Sequence, residues 1–248
     1  MPALLDALRR LTPRHKRALK NWGRRLLGVD FVTVPESRSS LWPYELHTTS
    51  ARRFLHFREL LLQLEDVEGQ IVECGVGPGR SLFVFAILTQ CVARPRRIVG
   101  FDTFEGLPEP TAEDGRGNAH KAGWLSHSEA NVRELLQFNG VASDFIDENI
   151  SFVRGTLAES LPAYDGRAIA LLHLDVDLYE SYKTALDWLW PFVSPGGIVT
   201  FDEYRSEAFP GATRAIDEFL DRWQLGAVKS RFLDRWYVVK ERPESAKR

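Results

Sequence analysis

Ile71-Val72-Glu73-Cys74-Gly75-Val76-Gly77-Pro78-Gly79-Arg80-Ser81 is the stretch that decides the fold. A short apolar run leads into three closely spaced glycines and then into a segment with helical character. Glycines at 75, 77 and 79 let the backbone turn sharply and approach a ligand with no Cβ in the way. The following helix offers unpaired N–H groups in its first turn. Strand, glycine turn and helix in this order form a nucleotide-type cofactor site at the end of the first strand of an α/β sheet.

The spacing narrows the cofactor. A dinucleotide fingerprint needs a third glycine at position 80, which is Arg80 here, and no phosphate-loop run G-x-x-x-x-G-K-[S/T] is present. The arrangement E-x-G-x-G-x-G is that of S-adenosylmethionine-dependent methyltransferases. Glu73 stands where its carboxylate takes a ligand ammonium, directly or through water, and where it repels a pyrophosphate. The bland alternative is an ordinary glycine-rich turn.

Outward from this turn, strand alternates with helix. A helix is expected over about 50–64, then strand one at Ile71–Gly75 and a crossover helix at Ser81–Cys91. Strand two spans Arg97–Asp102, a helix about Glu129–Asn139, and strand three Ile150–Arg154. Strand four, Ala168–Asp175, is apolar almost throughout and so buried on both faces. A helix at about Tyr182–Trp190 and a Pro195-Gly196-Gly197 turn lead to strand five, Ile198–Phe201. A helix at Ala212–Trp223 precedes a closing hairpin, Val228–Phe232 with Trp236–Lys240, turning at Leu233-Asp234. The expected fold is an α/β (Rossmann-like) doubly wound sheet, mostly parallel with one antiparallel strand near an edge. It carries an N-terminal helical extension. Domains are drawn at 1–50 for the basic extension and loop and 51–248 for the catalytic body. The long loop Glu105–Ser128 is rich in glycine, proline and charge and reads as a lid over the site, with His120 and His127 in it.

The 248 residues, 44% hydrophobic and 27% charged, suit one large α/β domain with an extension. The formal charge of −2 argues against a nucleic-acid partner. Residues 1–28 nevertheless carry eight Lys/Arg against Asp6 alone, which leaves 24 Lys/Arg against 33 Asp/Glu in the remainder. Leu4, Leu8, Leu11, Leu19, Trp22 and Leu26 recur there at near-helical spacing. This basic segment reads as two short helices packed on the body or on a second subunit, a homo-oligomer contact, with a membrane-surface helix as the sharper alternative. No apolar run has transmembrane length, and residues 1–28 lack the core of a secretion signal. Cys74 and Cys91 are expected to be reduced thiols, which suits a cytoplasmic protein.

In doubly wound sheets the ligands sit at the carboxyl ends of the strands. Strand two ends in Asp102, whose carboxylate is placed to accept bonds from two ribose hydroxyls; capping a turn is its alternative role. Strand three ends at Gly155-Thr156, beside the expected adenine. Strand four ends in Asp175-Val176-Asp177 and strand five in Asp202-Glu203-Tyr204. Neighbouring strands four and five bring Asp175, Asp202 and Glu203 to one rim. Crowded carboxylates call for a cation, and hard oxygen ligands favour magnesium, calcium or manganese over zinc. The same acids could instead cap helices or bind substrate hydroxyls directly. Asp177 is expected to order its turn. His173 points to the same side of strand four as Asp175, and is either a base or a hydrogen-bonded core histidine.

These residues resemble the macrocin O-methyltransferase (TylF-type) family, which methylates sugars on macrolides and related natural products. The matching pieces are Val72–Val76 with Gly79 and Ser81, Asp102-Thr103-Phe104-Glu105-Gly106-Leu107-Pro108, Gly155 before Leu161-Pro162, Leu174-Asp175-Val176-Asp177-Leu178-Tyr179-Glu180-Ser181, Ser194–Gly197 and Asp202-Glu203-Tyr204. They occur in the family's order over about residues 70–220. The resemblance implies S-adenosylmethionine, held by Glu73, Gly75, Gly77, Gly79, Ser81, Asp102, Thr103, Phe104, Gly155, Thr156 and Asp175. It implies the class I methyltransferase fold and a magnesium-dependent transfer to a hydroxyl of a small-molecule acceptor, a sugar by preference. Metal ligands fall on Asp175, Asp202 and Glu203, where the family usually has Asp at the last position. Asp175 or His173 is the expected base. Residues before 50 and the loop 109–128 fit the family poorly and are expected to select the acceptor. Methylation of a catechol-like diol, and a sugar- or nucleotide-binding protein that kept the fold without turnover, are the alternatives.

Overall fold

Seven strands form one sheet in the order β3-β2-β1-β4-β5-β7-β6. The computed structural model describes residues 47–91, 95–115 and 122–242, all within one compact unit, Trp42–Arg248. The basic segment 1–28, its proposed subunit contact and His120 lie outside the described residues.

The elements are α1 Thr48–Gln63, β1 Gln70–Cys74, α2 Arg80–Cys91, β2 Ile98–Asp102, α3 Glu129–Phe138, α4 Ser143–Asn149, β3 Ile150–Arg154, α5 Leu157–Ser160, β4 Ile169–Leu174, α6 Tyr179–Leu189, β5 Val193–Phe201, α7 Pro210–Trp223, β6 Val228–Lys229 and β7 Trp236–Val239. β1 to β5 pair in parallel, and β7 runs against both β5 and β6, one place in from the edge. This is the expected doubly wound class I architecture.

β1 and β4 are buried along their whole length. Their alternating side chains feed two cores: Ile71 and Leu171 pack under α1 and α2, while Val72, Leu172 and Leu174 pack under α6 and α7. Glu73, His173 and Thr200 lie in one register row across β1, β4 and β5, a polar line crossing an apolar sheet.

Several boundaries differ from the expected ones for identifiable reasons. α1 begins at Thr48, two residues ahead of the expected helix start at about 50, because His47 caps it: its Nδ1 accepts the Ser50 N–H at 3.3 Å. Pro195-Gly196-Gly197 is an excursion inside β5 rather than a turn before it. The pairing steps from Ile169↔Val193 to Leu171↔Ile198, and Gly196 N–H donates to the Lys240 carbonyl at 2.7 Å. The hairpin turn is wider than Leu233-Asp234, since Ser230 Oγ accepts both Phe232 N–H and Leu233 N–H. Both α4 and α5 are too short to show an apolar period. Among the described residues no helix is long and apolar enough to cross a membrane.

Candidate active site

The sheet order reverses between β1 and β4, and a pocket of about 420 Å³ opens there. Gly75, Gly77, Ser81 and Asp102 line one side, and Thr103, Gly155, Thr156 and Asp175 continue the wall. Glu73, Gly79, Phe104, His173, Asp202 and Glu203 are set back from that lining.

The glycine turn is fixed by close approach. Gly75 has φ +84, and a Cβ there would stand 1.8 Å from the Asp175 carbonyl oxygen. The neighbouring Asp175 N–H donates to the Cys74 carbonyl at 3.0 Å, so β1 and β4 stay laced to their ends. Gly77 faces open space. Its N–H donates to Asp102 Oδ2 at 2.8 Å, and Phe104 N–H donates to Asp102 Oδ1 at 2.7 Å. Asp102 thus ties the glycine turn to the loop after β2, and each oxygen keeps a lone pair toward the pocket side. Phe104 contributes through its backbone, since its ring is buried against Phe152.

Glu73 lies 1% exposed beneath the turn, and neither carboxylate oxygen has a hydrogen-bond partner. Burial, and then the Asp175 and Asp102 carboxylates, hold its carboxyl well above the usual carboxylate range. His173 Nε2 stands 3.8 Å from Glu73 Oε1 and 4.0 Å from Asp175 Oδ2. Burial pushes the imidazole down to about 3, so the Glu73–His173 contact is not an ion pair at neutral pH. Phe57 and Phe85 pack edge-on against His173. Its two ring nitrogens are also unpartnered.

At the ends of β4 and β5, one ligand atom each from His173, Asp175 and Asp202 lie within 4.8 Å of one another. Asp175 and Asp202 therefore meet as expected, but Glu203 stays outside that group. Glu203 is buried, and its Oε2 lies 2.6 Å from the Tyr182 hydroxyl, which is also 2.9 Å from the Leu174 carbonyl. The hydroxyl faces both acceptors and donates to Glu203 at the shorter distance. Burial, and then Asp175 and Asp202, raise Glu203 well above its ordinary range, against the lowering effect of the Tyr182 hydrogen bond. Asp175 is raised as well, by burial first and then Asp202 and Asp177. Asp177 adopts φ +61 and orders its turn as expected, with its carboxyl pushed up to about 6 by burial and then Asp202. Two carboxylates and an unpartnered imidazole whose ligand atoms converge fit a divalent cation. The oxygen-rich donor set favours a hard ion.

Three contributors escaped the sequence reading. Asp114, 2% exposed in the loop after β2, accepts the Tyr179 N–H at 2.7 Å and so caps α6 from a distance. Arg53 of α1 lines the pocket; nothing in an amphipathic helix singles out one arginine. Arg235 donates through Nε to Asp202 Oδ1 at 2.5 Å. The loop neck is paired, with Leu107 N–H donating to the Trp124 carbonyl and Gly123 N–H to the Leu107 carbonyl, both at 2.9 Å. Trp124 and Leu125 on the pocket rim are nearly half exposed.

The macrocin O-methyltransferase (TylF) model matches residues 30–231. The chain belongs to this family of S-adenosylmethionine-dependent methyltransferases. It is 30% identical over 184 residues to the 8-demethyl-8-(2,3-dimethoxy-alpha-L-rhamnosyl)-tetracenomycin-C 4'-O-methyltransferase of Streptomyces olivaceus, which covers 67% of this chain and 66% of that protein, just under two thirds of its length. It is 31% identical to the demethyldecarbamoylnovobiocin O-methyltransferase of Streptomyces niveus, covering 74% of this chain and 71% of the relative. Among solved structures, the calicheamicin methyltransferase CalS11 superposes with a TM-score of 0.72 at 28% identity, over 92% of this chain and 93% of the other.

Proposed function

We propose that this protein transfers the methyl group of S-adenosylmethionine to a hydroxyl of a sugar or sugar-bearing natural product, with a divalent cation, magnesium by preference, at the acid crest. The observation that carries this reading is the role of Asp175, which lines the switch-point pocket beside Gly75 and also belongs to the cluster with Asp202. Donor pocket and acid crest are thus one continuous site. Three relatives are named as O-methyltransferases of a dimethoxy-rhamnosyl-tetracenomycin-C, of demethyldecarbamoylnovobiocin and of mycinamicin III, and the rhamnosyl substrate of the first supports a glycosylated acceptor.

Bound here, the sulfonium donor supplies an electrophilic methyl group, and the cation supplies charge that lowers an acceptor hydroxyl's pKa. Glu73, whose two oxygens have no protein partner beneath the turn, takes the donor's ammonium directly or through water, and Asp102 receives the ribose hydroxyls. Gly155 and Thr156 flank the adenine. Asp175 and Asp202 hold the cation. Asp175, the crest acid that also lines the pocket, takes the hydroxyl proton. His173 packs behind it, its Nε2 4.0 Å from Asp175 Oδ2. Trp124 and Leu125 shield the acceptor from water, and much of the acceleration comes from holding oxygen and methyl in line. The cysteines, buried Cys74 and exposed Cys91, are free, in keeping with a cytoplasmic enzyme.

The test is transfer of labelled methyl to a panel of nucleotide-linked deoxysugars, glycosylated aglycones and catechols, with and without chelator. Label is expected on sugar-bearing acceptors, lost with EDTA and restored by Mg²⁺. Label on catechols alone, or donor binding without transfer to any member, overturns the reading.

A further inference from the structure

The antiparallel register of β5 and β7 pairs Phe201 with Trp236, so the next residue on each side, Asp202 and Arg235, face each other beyond the last rung. The guanidinium occupies this position in the structure: Nε donates to Asp202 Oδ1 at 2.5 Å. The Asp202 side chain is 18% exposed and that of Arg235 33% exposed, so the pair is partly shielded from solvent and less screened than a surface pair. Arg235 also acts electrostatically on Glu203 and Asp175, which places its charge against the whole acid crest. It lies beyond residue 231, the end of the family match, so the shared motifs do not account for it.

We propose that Arg235 is the resident counter-cation of the acid crest and competes with the divalent cation for Asp202. This rests on the cation reading above. Without an ion, Asp175 and Asp202 meet at the crest; Arg53 acts on Asp175 from the pocket wall, and Arg235 is the guanidinium hydrogen-bonded to Asp202. A carboxylate oxygen held by a guanidinium donates less well to a metal. The two positive charges also repel across a few ångströms of poorly screened space. Arg235 therefore sets a threshold ion concentration below which the crest stays closed by its own side chain. Its position on the β6–β7 turn, rather than on the strands that carry the acids, lets it withdraw without disturbing them.

Calorimetric titration of the full-length protein with Mg²⁺ and Mn²⁺ tests this. Arg235→Gln is expected to bind either ion roughly tenfold more tightly than wild type, because one full charge leaves the crest. Arg235→Lys keeps the charge and is expected to stay within about threefold of wild type. Retained S-adenosylmethionine binding reports that each variant is folded. In the wild type, the Arg235 Nε–H resonance in a ¹⁵N spectrum should shift on ion saturation, a measurement that needs no variant. Equal or weaker ion binding by Arg235→Gln, or an unmoved resonance at saturating ion, overturns the role of Arg235 and leaves the cation site standing. No ion binding by any of the three proteins, with donor binding intact, overturns the cation reading and this proposal with it, and leaves the family assignment untouched.

Discussion

The carbonyl oxygen of Asp175 occupies the space that a Cβ on residue 75 would need, 1.8 Å from where that atom would stand. The donor turn and the acid crest are therefore locked to each other through backbone, before any side chain takes part. Gly75→Ala must push β1 and β4 apart and also strain a residue at φ +84. A destabilisation of about 3 kcal/mol or more is expected, with loss of donor binding. Gly77→Ala is the contrast, since φ is +50 and no atom lies within 4 Å of the added Cβ. It should cost only about 1–2 kcal/mol, stay folded and weaken the donor by filling pocket space. Thermal melts and donor calorimetry on the two variants check the difference.

Asp102 receives two backbone N–H groups from different loops, Gly77 and Phe104. Asn keeps one acceptor oxygen and presents an NH₂ to the other donor. Asp102→Asn should therefore lose one charge-assisted bond and leave one N–H opposed, at a cost of about 1–3 kcal/mol. Donor affinity should fall by at least about tenfold, because the glycine turn loses its tether and the ribose loses a carboxylate. Equal donor affinity in a calorimetric comparison would count against the placement of the ribose.

The strands and the glycine turn were legible because their signals are local. β1 and β4 are largely apolar, interrupted by Gln70, Glu73 and His173; Gly75 and Gly77 follow β1 directly, and Asp102 closes β2. The meeting of Asp175 with Asp202 followed once strands four and five were read as neighbours. Three things were not legible. Asp114 caps α6 across 65 residues, and no local pattern links a loop acid to a distant helix end. Arg235 reaches Asp202 only through the antiparallel register of the short strand β7 on β5. Glu203 was grouped with the metal acids by its place beside Asp202, but Tyr182 claims its carboxyl, and side-chain direction at a strand end does not follow from sequence spacing.

Asp114 joins lid to helix. Gly211 at the start of α7 leaves room for it, since a Cβ there would lie 2.2 Å from Asp114 Oδ1. Its carboxylate also accepts the Thr111 N–H at 2.8 Å, so one side chain holds the loop and the α6 N-terminus. Asp114→Ala should cost about 1–2 kcal/mol, the range of a lost N-cap. The acceptor KM should rise more than kcat falls, because the lid loses its anchor while Asp175 keeps its place. A fall in kcat with unchanged KM would show that the loop acts on the chemistry instead.

His56 gives a pH dependence whose sign can be worked out. It is 1% exposed on α1, its Nδ1 is unpartnered, and its Nε2 lies 3.5 Å from Thr200 Oγ1. Burial, only partly offset by Asp202, lowers it from 6.5 to about 4. The unfolded chain thus takes up this proton first as pH falls. The stability held by the neutral ring is fully present above pH 6.5 and is lost as pH drops toward about 4, by on the order of 3 kcal/mol. Glu73, Asp175 and Glu203 act in the opposite sense, because their raised values stabilise the fold at low pH and lose that contribution as pH rises. A wild-type profile therefore mixes both signs, and a difference between two proteins isolates the histidine. His56→Phe keeps a ring of similar size and removes the titrating group. Its urea-unfolding free energy should gain on wild type steadily between pH 6.5 and 4.5 and run parallel to it above pH 7. A constant offset across the whole range would mean that His56 titrates alike in the folded and unfolded chain.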